Sequence, residues 1–219
     1  MTPAATSRLD LAELFPFPLD GFQLEAIDAL NQGHSVVVSA PTGSGKTLVG
    51  EYAIHRALAH GQKVFYTTPL KALSNQKLRD FREQFGAERV GLMTGDLTVN
   101  REARIVVMTT EIFRNMLYAE VDAGDDPLAD VEAVVLDECH YMNDSQRGTV
   151  WEESIIHCPP SVQLVALSAT VANAGQLTDW IERVHGPTRL VLSDFRPVPL
   201  QFSFCSAKGL HPLLNDEGT

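Results

Sequence analysis

The sequence predicts an α/β protein with a mostly parallel central sheet and helices on both faces. Three observations carry that prediction. Short apolar runs alternate along the chain with segments that are apolar at helical spacing, the pattern of strand–helix–strand units. Two of those runs, VEAVVLDE at 131–138 and VQLVALSAT at 162–170, are too apolar to face water on one side and belong inside a sheet. The stretch SVVVSAPTGSGKT at 35–47 sets a glycine-containing loop between an apolar run and a helical pattern. The chain has 219 residues, 44% of them hydrophobic, enough for one large domain or two small ones with a sizeable core.

Taken in order, residues 1–14, with Pro3 and several small side chains, read as a poorly ordered lead-in. Phe15 and Phe17 alternate with prolines, which suits an extended segment. From Asp20 as N-cap, Phe22, Ala26, Ile27 and Leu30 share one face of a helix that Gly33 ends. After a strand at 36–38, Lys46 and Thr47 open a helix through Leu48, Tyr52, Ile54 and Leu58, and Gly61 breaks it. KVFYTTP is the next strand, and Thr68 with Pro69 reads as the cap and first turn of a helix apolar at Leu70, Leu73, Leu78, Phe81 and Phe85. RVGLMTG and RIVVMTT are further strands, and Thr109 or Thr110 starts the helix EIFRNMLYAEV. DAGDDPLAD is a polar loop ahead of the central strand VEAVVLDE. Residues 148–157 have a helical pattern with a start blurred by Gly148, Thr149 and Val150. NAGQLTDWIERV is a helix capped by Asn173 with Gln176 three residues on, and TRLVLS and PVPLQFSF are the last strands.

The glycine loop is the chemical centre. Gly43 and Gly45 let the backbone curl so that successive N–H groups point at phosphate oxygens. The loop residues are Ala40, Pro41, Thr42, Gly43, Ser44, Gly45, Lys46 and Thr47, with Ala40 where the usual pattern has glycine. Lys46 is placed for the β- and γ-phosphates of a nucleoside triphosphate and the Thr47 hydroxyl for Mg²⁺. Ninety residues beyond Thr47, Asp137 and Glu138 stand where a buried strand meets its loop. Parallel-sheet enzymes build sites at such strand ends. Asp137 is then a Mg²⁺ ligand through water, and Glu138 orients or deprotonates an attacking water. His140 is open between a structural and a functional role, and Cys139 reads as a core filler.

Bulk properties exclude several classes. No apolar run approaches the roughly 18 residues that span a membrane. The N-terminus lacks a basic start and an apolar stretch, so no secretory signal is read there. Cys139, Cys158 and Cys205 lie far apart and outside any CxxC spacing, which argues against a disulfide framework and zinc and suits a reducing compartment. The expectation is a soluble cytoplasmic protein, in a bacterial cytosol or an organelle stroma. A net charge of −11 restricts any nucleic-acid surface to a local basic face.

APTGSGKT, DECH and SAT (Ser168 to Thr170) together resemble the first RecA-like domain of a superfamily-two DExH-box helicase. FPLDGFQ, PLKALSNQK, GLMTGD, MTTEIFRNMLY, DECHYMND, RGTVWEESII, LSAT and DFRPVPLQ follow in the order seen in superkiller-type RNA helicases, across nearly all of 15–205. The resemblance implies that Phe17 stacks on adenine and Gln23 reads its edge, which favours ATP over GTP; the phosphate loop alone does not decide between them. A packing role for Phe17 is the competing reading. It implies that Ser168, Thr170 and His140 couple nucleotide state to strand movement. It places Pro69, Lys71, Gly95, Asp96, Thr109, Thr110, Glu111 and Arg114 along an RNA track, where loop amides, hydroxyls and helix N-termini contact phosphate and sugar. Against that, Lys71 and Arg114 also suit a solvated helix face, and Thr109 or Thr110 a simple cap. Trp151 reads as core.

The resemblance also implies a longer protein, with a lead-in at 1–14, an ATP-binding RecA-like domain at 15–196, and a crossover at 197–219 into a second such domain. That second domain would bring the arginine fingers, and no QxxGRxGR-like segment occurs in this sequence. The expected activity is ATP-dependent 3′-to-5′ movement on single-stranded RNA. The 219 residues alone are expected to be a monomer that binds nucleotide with Mg²⁺ but turns over slowly. Two other functions remain open at this point: a DNA helicase or translocase of the same superfamily, and a nucleotide-gated interaction module without motor output.

Overall fold

The computed structural model describes residues 9–118, 126–144, 147–200, 202–207 and 209–212. Eight strands form one sheet: β1 (Ser35–Ser39), β2 (Lys63–Thr68), β3 (Val90–Met93), β4 (Thr98–Val99), β5 (Ile105–Thr109), β6 (Val131–Leu136), β7 (Gln163–Ser168) and β8 (Thr188–Leu192). Their spatial order is β4-β3-β5-β2-β6-β7-β1-β8, and every pairing is parallel except the short β3–β4 hairpin. The helices are α1 (Leu11–Leu14), α2 (Gly21–Asn31), α3 (Thr47–Ala59), α4 (Lys71–Phe85), α5 (Thr110–Leu117), α6 (Gly148–His157) and α7 (Ala174–Val184).

Strand side chains alternate between faces, so one sheet builds two cores. Val36, Val38, Val64, Tyr66, Val135 and Val165 pack on one side with α2, α3 and α4. Val37, Phe65, Met108, Val134, Leu136 and Ala166 pack on the other with α5, α6 and α7. This is the doubly covered sheet that the continuous apolar runs require. Val131–Leu136 lies between β2 and β7 near the middle, as its composition demands. Trp151 is fully buried and stacks against Tyr141 in the second core.

Several local expectations change. Residues 11–14 of the expected lead-in are helical, because Asp10 accepts the Ala12 N–H at 2.9 Å and Leu11 and Leu14 pack on the first core. Thr68 does not cap a helix. It is still paired in β2, opposite Thr109, and its hydroxyl meets Ser74 Oγ at 2.7 Å, so α4 begins only at Lys71. Asn173 stands at the start of α7 without a side-chain cap, since its backbone (φ −103°, ψ 23°) is not the extended one that aims a cap at the helix amides. The helix from Thr110 ends at Leu117, and residues 119–121 of the expected helix lie outside the described ones. Of the described residues of PVPLQFSF only Ser203 and Phe204 enter a strand, β9 (Ser203–Ser206), which pairs with β10 (Gly209–Pro212) in a separate antiparallel hairpin. Among the described residues no helix is long and apolar enough to cross a membrane.

Parallel strands all point one way. The residues after β1, β2, β5, β6 and β7 therefore gather along one edge of the sheet, and every candidate site residue between 40 and 170 stands on or beside that edge.

Candidate functional site

β1 holds its ladder one residue past its end, with the Ala40 N–H donating to Ser168 O at 3.2 Å. The chain then turns through Gly43 (φ 83°) and Gly45 (φ 86°), a left-handed backbone that favours glycine. Ala40, Pro41 and Ser44 are buried beneath the loop, while Thr42, Gly43 and Gly45 face out and Thr47 is half-buried at the head of α3. Lys46 Nζ donates to Pro41 O at 3.1 Å, one of its three N–H bonds. Among the described residues no carboxylate lies within 4 Å of it. Burial pulls the Lys46 pKa below the ordinary lysine value, while the charges of Glu138 and Asp137 pull it back up and Arg196 lowers it further. Ser44 Oγ is buried and has no partner among the described residues.

The acidic turn follows β6. The Asp137 N–H donates to Thr67 O at 3.0 Å, tying the turn to β2. Its carboxylate is oriented from two sides: Oδ1 accepts the Glu138 N–H at 2.9 Å and Oδ2 accepts the Tyr66 hydroxyl at 2.7 Å. Tyr66 is fully buried, and burial followed by the Asp137 charge pushes its own pKa well above the usual phenol value. Glu138 adopts a left-handed backbone (φ 54°, ψ 42°), rare for a non-glycine residue and of order 1–3 kcal/mol in strain. Cys139 beneath it is buried, with its thiol pushed up to about 12, and is inert, as a core filler should be.

His140 Nδ1 lies 3.3 Å from the Ala169 N–H and 3.3 Å from Glu138 Oε2. A neutral Nδ1 accepts from Ala169, and a protonated one faces Glu138; one nitrogen does not do both at once. Ser168 is buried and donates to Ala169 O at 2.8 Å, and Ser39 Oγ accepts the Val171 N–H at 3.4 Å. Thr170 is exposed. The phosphate loop, the Ser168–Thr170 loop and the acidic turn thus follow three adjacent strands, β1, β7 and β6, and Lys46 feels both acids.

This donor set fits a metal that arrives with a phosphate ligand. Among the described residues no group of three or more His, Cys, Asp or Glu side chains is placed to hold a metal ion. Mg²⁺ is commonly bound by one or two protein oxygens together with substrate phosphates and water. Asp137 and Thr47 supply that small number.

Phe17 is 54% exposed beside Phe15, at a ring-centroid distance of 6.2 Å. Gln23 is buried and held at both ends of its amide: Oε1 accepts the Asp20 N–H at 2.9 Å, and Nε2 donates to Gly45 O at 3.1 Å. It fastens α2 to the phosphate loop.

The remaining candidates line the ends of β2, β3 and β5. Lys71 pairs with Asp96, whose carboxyl that hydrogen bond holds below the usual range. Gly95 is exposed beside it, and Arg114 reaches Glu153 at 3.3 Å. Thr109 stands at the N-cap of α5, but Thr110 is fully buried with its hydroxyl donated to Thr68 O at 3.3 Å. Pro69 is buried, and its carbonyl accepts Arg147 Nη2 at 2.6 Å. The same Arg147 nitrogen meets Glu111 Oε1. Arg147 precedes Gly148, where a Cβ would stand 2.3 Å from Met142 O, so glycine lets α6 start hard against the acidic turn.

The sequence pattern of DEAD/DEAH box helicases matches residues 20–177. The chain belongs to the DEAD/DEAH box helicase family. Within that family it is 55% identical over 211 residues to the DExH-box ATP-dependent RNA helicase DExH15, chloroplastic, of Arabidopsis thaliana, covering 95% of this chain and 18% of that protein. It is 49% identical over 210 residues to the exosome RNA helicase MTR4 of Homo sapiens, covering 94% of this chain and 20% of that one. The chain thus spans about a fifth of the length of these relatives. The Mycobacterium smegmatis helicase Lhr, solved bound to ssDNA and AMP-PNP, superposes with a TM-score of 0.65 at 27% identity, covering 83% of this chain and 26% of that one. The fold is the RecA-like helicase fold, and the chain is a helicase domain of the DExH type.

Three side chains of this helicase domain's edge carried no role in the sequence reading. Tyr66 and Arg147 find their partners 71 and 78 residues away, which no local pattern reports. Arg196 donates to Thr42 O from 154 residues on. The last two lie inside RGTVWEESII and DFRPVPLQ, so the motifs marked the places without the roles.

Proposed function

We propose that this chain is the ATP-binding domain of a superkiller-type RNA helicase, coupling ATP hydrolysis to 3′-to-5′ movement on single-stranded RNA together with a second RecA-like domain. The observation that carries the reading is the shared edge: the Lys46 loop and the Asp137–Glu138 turn follow strands separated only by β7, and the Lys46 ammonium senses both carboxylates. In this reading loop amides and Lys46 hold the phosphates. Thr47 and Asp137, the latter through water, hold Mg²⁺, and Tyr66 keeps Asp137 aimed. When bound, Mg²⁺ neutralises charge on the phosphate oxygens. Glu138 orients the attacking water and takes its proton. Phe17 stacks on adenine, and Gln23 reaches the adenine edge by giving up its bond to Gly45. His140, Ser168 and Thr170 relay nucleotide state to neighbouring strands.

RNA lies along Lys71, Gly95, Asp96, Thr109, Glu111 and Arg114, with the amides at the start of α5 contributing where the Thr110 hydroxyl does not. Residues 15–196 are the domain itself and 197–219 the crossover to its partner domain. The two buried, unpaired cysteines suit a reducing compartment such as a bacterial cytosol or an organelle stroma. Arginine fingers from the second domain are worth about 10³ to 10⁵ in rate. The 219 residues alone should therefore bind Mg²⁺–ADP in a calorimetric titration yet hydrolyse ATP far below about 1 s⁻¹, a modest enzyme rate. RNA-stimulated turnover at that rate would refute the dependence on a second domain.

A second reading, movement on DNA, is favoured by the likeness to Lhr bound to ssDNA. Titration of the full-length protein with matched RNA and DNA strands across a salt series separates the two. Equal or tighter DNA binding at each salt concentration would favour the second reading.

A further inference from the structure

We propose that Arg196 is a nucleotide-phosphate contact, a second cation that joins Lys46 on the phosphates. The inference rests on the reading of 40–47 as a phosphate loop. After β8 the chain does not leave the sheet at once. The Ser193 N–H donates to Ser39 O at 3.0 Å, carrying the β1 ladder on, and Ser193 Oγ then accepts the Phe195 N–H at 3.3 Å. That turn brings Arg196 back over the loop, where Nη1 donates to Thr42 O at 3.3 Å. Thr42 immediately precedes Gly43, so the guanidinium stands at the lip of the loop.

Its charge is unbalanced there. Among the described residues no carboxylate lies within 4 Å of Arg196. Among the described residues one of its five N–H groups has a partner, Thr42 O, which leaves four. It is close enough to Lys46 to oppose that ammonium's protonation. Two like charges on one loop repel until an anion enters between them. A guanidinium then offers paired donors that match phosphate oxygens better than a point charge does. Asp137 and Glu138 act on Lys46 with the opposite sign, and neither makes an ion pair with Arg196 among the described residues. An arginine that only anchored the exit segment would be indifferent to how many phosphates the ligand carries.

The test uses this chain, Mg²⁺, and three ligands that differ in phosphate number: AMP, ADP and the non-hydrolysable β,γ-imido analogue of ATP. Affinities are read by competition against a fluorescent ADP. Arg196→Ala should weaken the triphosphate about 10-fold, the size of one charge-assisted hydrogen bond, and AMP by less than about 2-fold. Arg196→Lys should recover part of the loss. Thermal melting should be unchanged, since the side chain lies outside both cores. Unchanged triphosphate affinity, or the same loss for all three ligands, would overturn the proposal. Lys46→Ala is the separate check on the loop. If it abolishes binding while Arg196→Ala changes nothing, Arg196 alone is wrong. If wild-type protein binds none of the ligands, the phosphate-loop reading falls and takes Arg196 with it.

Discussion

The two ends of the central sheet are built from similar polar residues and treat them in opposite ways. At the N-terminal ends of the strands, Arg56 is 4% exposed and each nitrogen of its guanidinium has a partner: Nε to Glu132 at 2.6 Å, Nη1 to Leu30 O, and Nη2 to Gln163 Oε1. Glu132 also meets His60 at 2.9 Å, and the Gln163 amide donates to His34 O at 2.8 Å. At the C-terminal ends, Lys46 uses one donor of three, Ser44 Oγ has no partner, Glu138 holds a strained backbone, and Arg196 has no counter-charge among the described residues. One end closes α2, α3, β6 and β7 into a fixed frame. The other leaves donors and acceptors available to a ligand. The contrast is between the Arg56 cluster and the Lys46–Arg196 pair, not between whole ends, since Asn31 Nδ2 and His34 Nδ1 near the closed end also have no partner among the described residues.

Breaking each end should therefore fail differently. The largest effect is expected from Arg56→Ala, which takes from the half-buried Glu132 and Gln163 the cation that joins them. It should destabilise the fold by about 3–5 kcal/mol, measured by urea unfolding, while the folded fraction binds ADP with unchanged affinity. Lys46→Ala should invert that outcome. Losing the contact to the β-phosphate should weaken ADP binding by about 10- to 100-fold, and stability should stay within about 0.5 kcal/mol. If Lys46→Ala unfolded the chain, or Arg56→Ala left stability untouched, the division between frame and site would be wrong.

Tyr66→Phe sharpens the comparison, because Tyr66 lies deep in the first core and yet serves the open end through its hydroxyl. Phenylalanine keeps the ring packed against Phe81 and releases one side of Asp137. Removing a residue that orients a metal ligand typically costs about 10–100-fold in metal affinity. The expected result is about a 10-fold loss of Mg²⁺-dependent nucleotide binding, with little change when Mg²⁺ is chelated. An equal loss with and without the metal would assign Tyr66 to packing.

The same division explains what could be read in advance. VEAVVLDE and VQLVALSAT announced buried parallel strands because a doubly covered sheet leaves no polar alternation. The phosphate loop and DECH were legible because their chemistry is local, eight and four consecutive residues. The frame was not, since Arg56 meets partners 76 and 107 residues away and nothing near it in sequence marks it as buried. β4 was missed because two residues, Thr98 and Val99, are too few to show a period. Thr68 misled for a related reason: Thr–Pro reads as a helix start, but pairing with Thr109 holds it in the strand. Tertiary pairing overrode local propensity there; Thr110 does open α5 as expected, with its hydroxyl turned inward to Thr68 O.

The smallest expected effect lies between the two ends. His55 sits midway along α3, against the ring of Phe85 at 4.9 Å and that of Phe15 at 6.0 Å. Burial among these rings holds its pKa below the ordinary 6.5. The unfolded chain therefore binds this proton more readily than the folded one. Stability from the neutral imidazole is complete above about pH 6.5 and is lost as pH falls through the lower folded value. His55→Phe keeps an aromatic ring in place and removes the titration. The difference in unfolding free energy between variant and wild type should be flat above about pH 6.5 and should grow in the variant's favour below it. His185, also depressed by burial, is present in both proteins and cancels from the difference. A difference that stays constant down to pH 5 would mean the His55 ring reaches water, and that the α3 face joining frame to site is looser than its packing indicates.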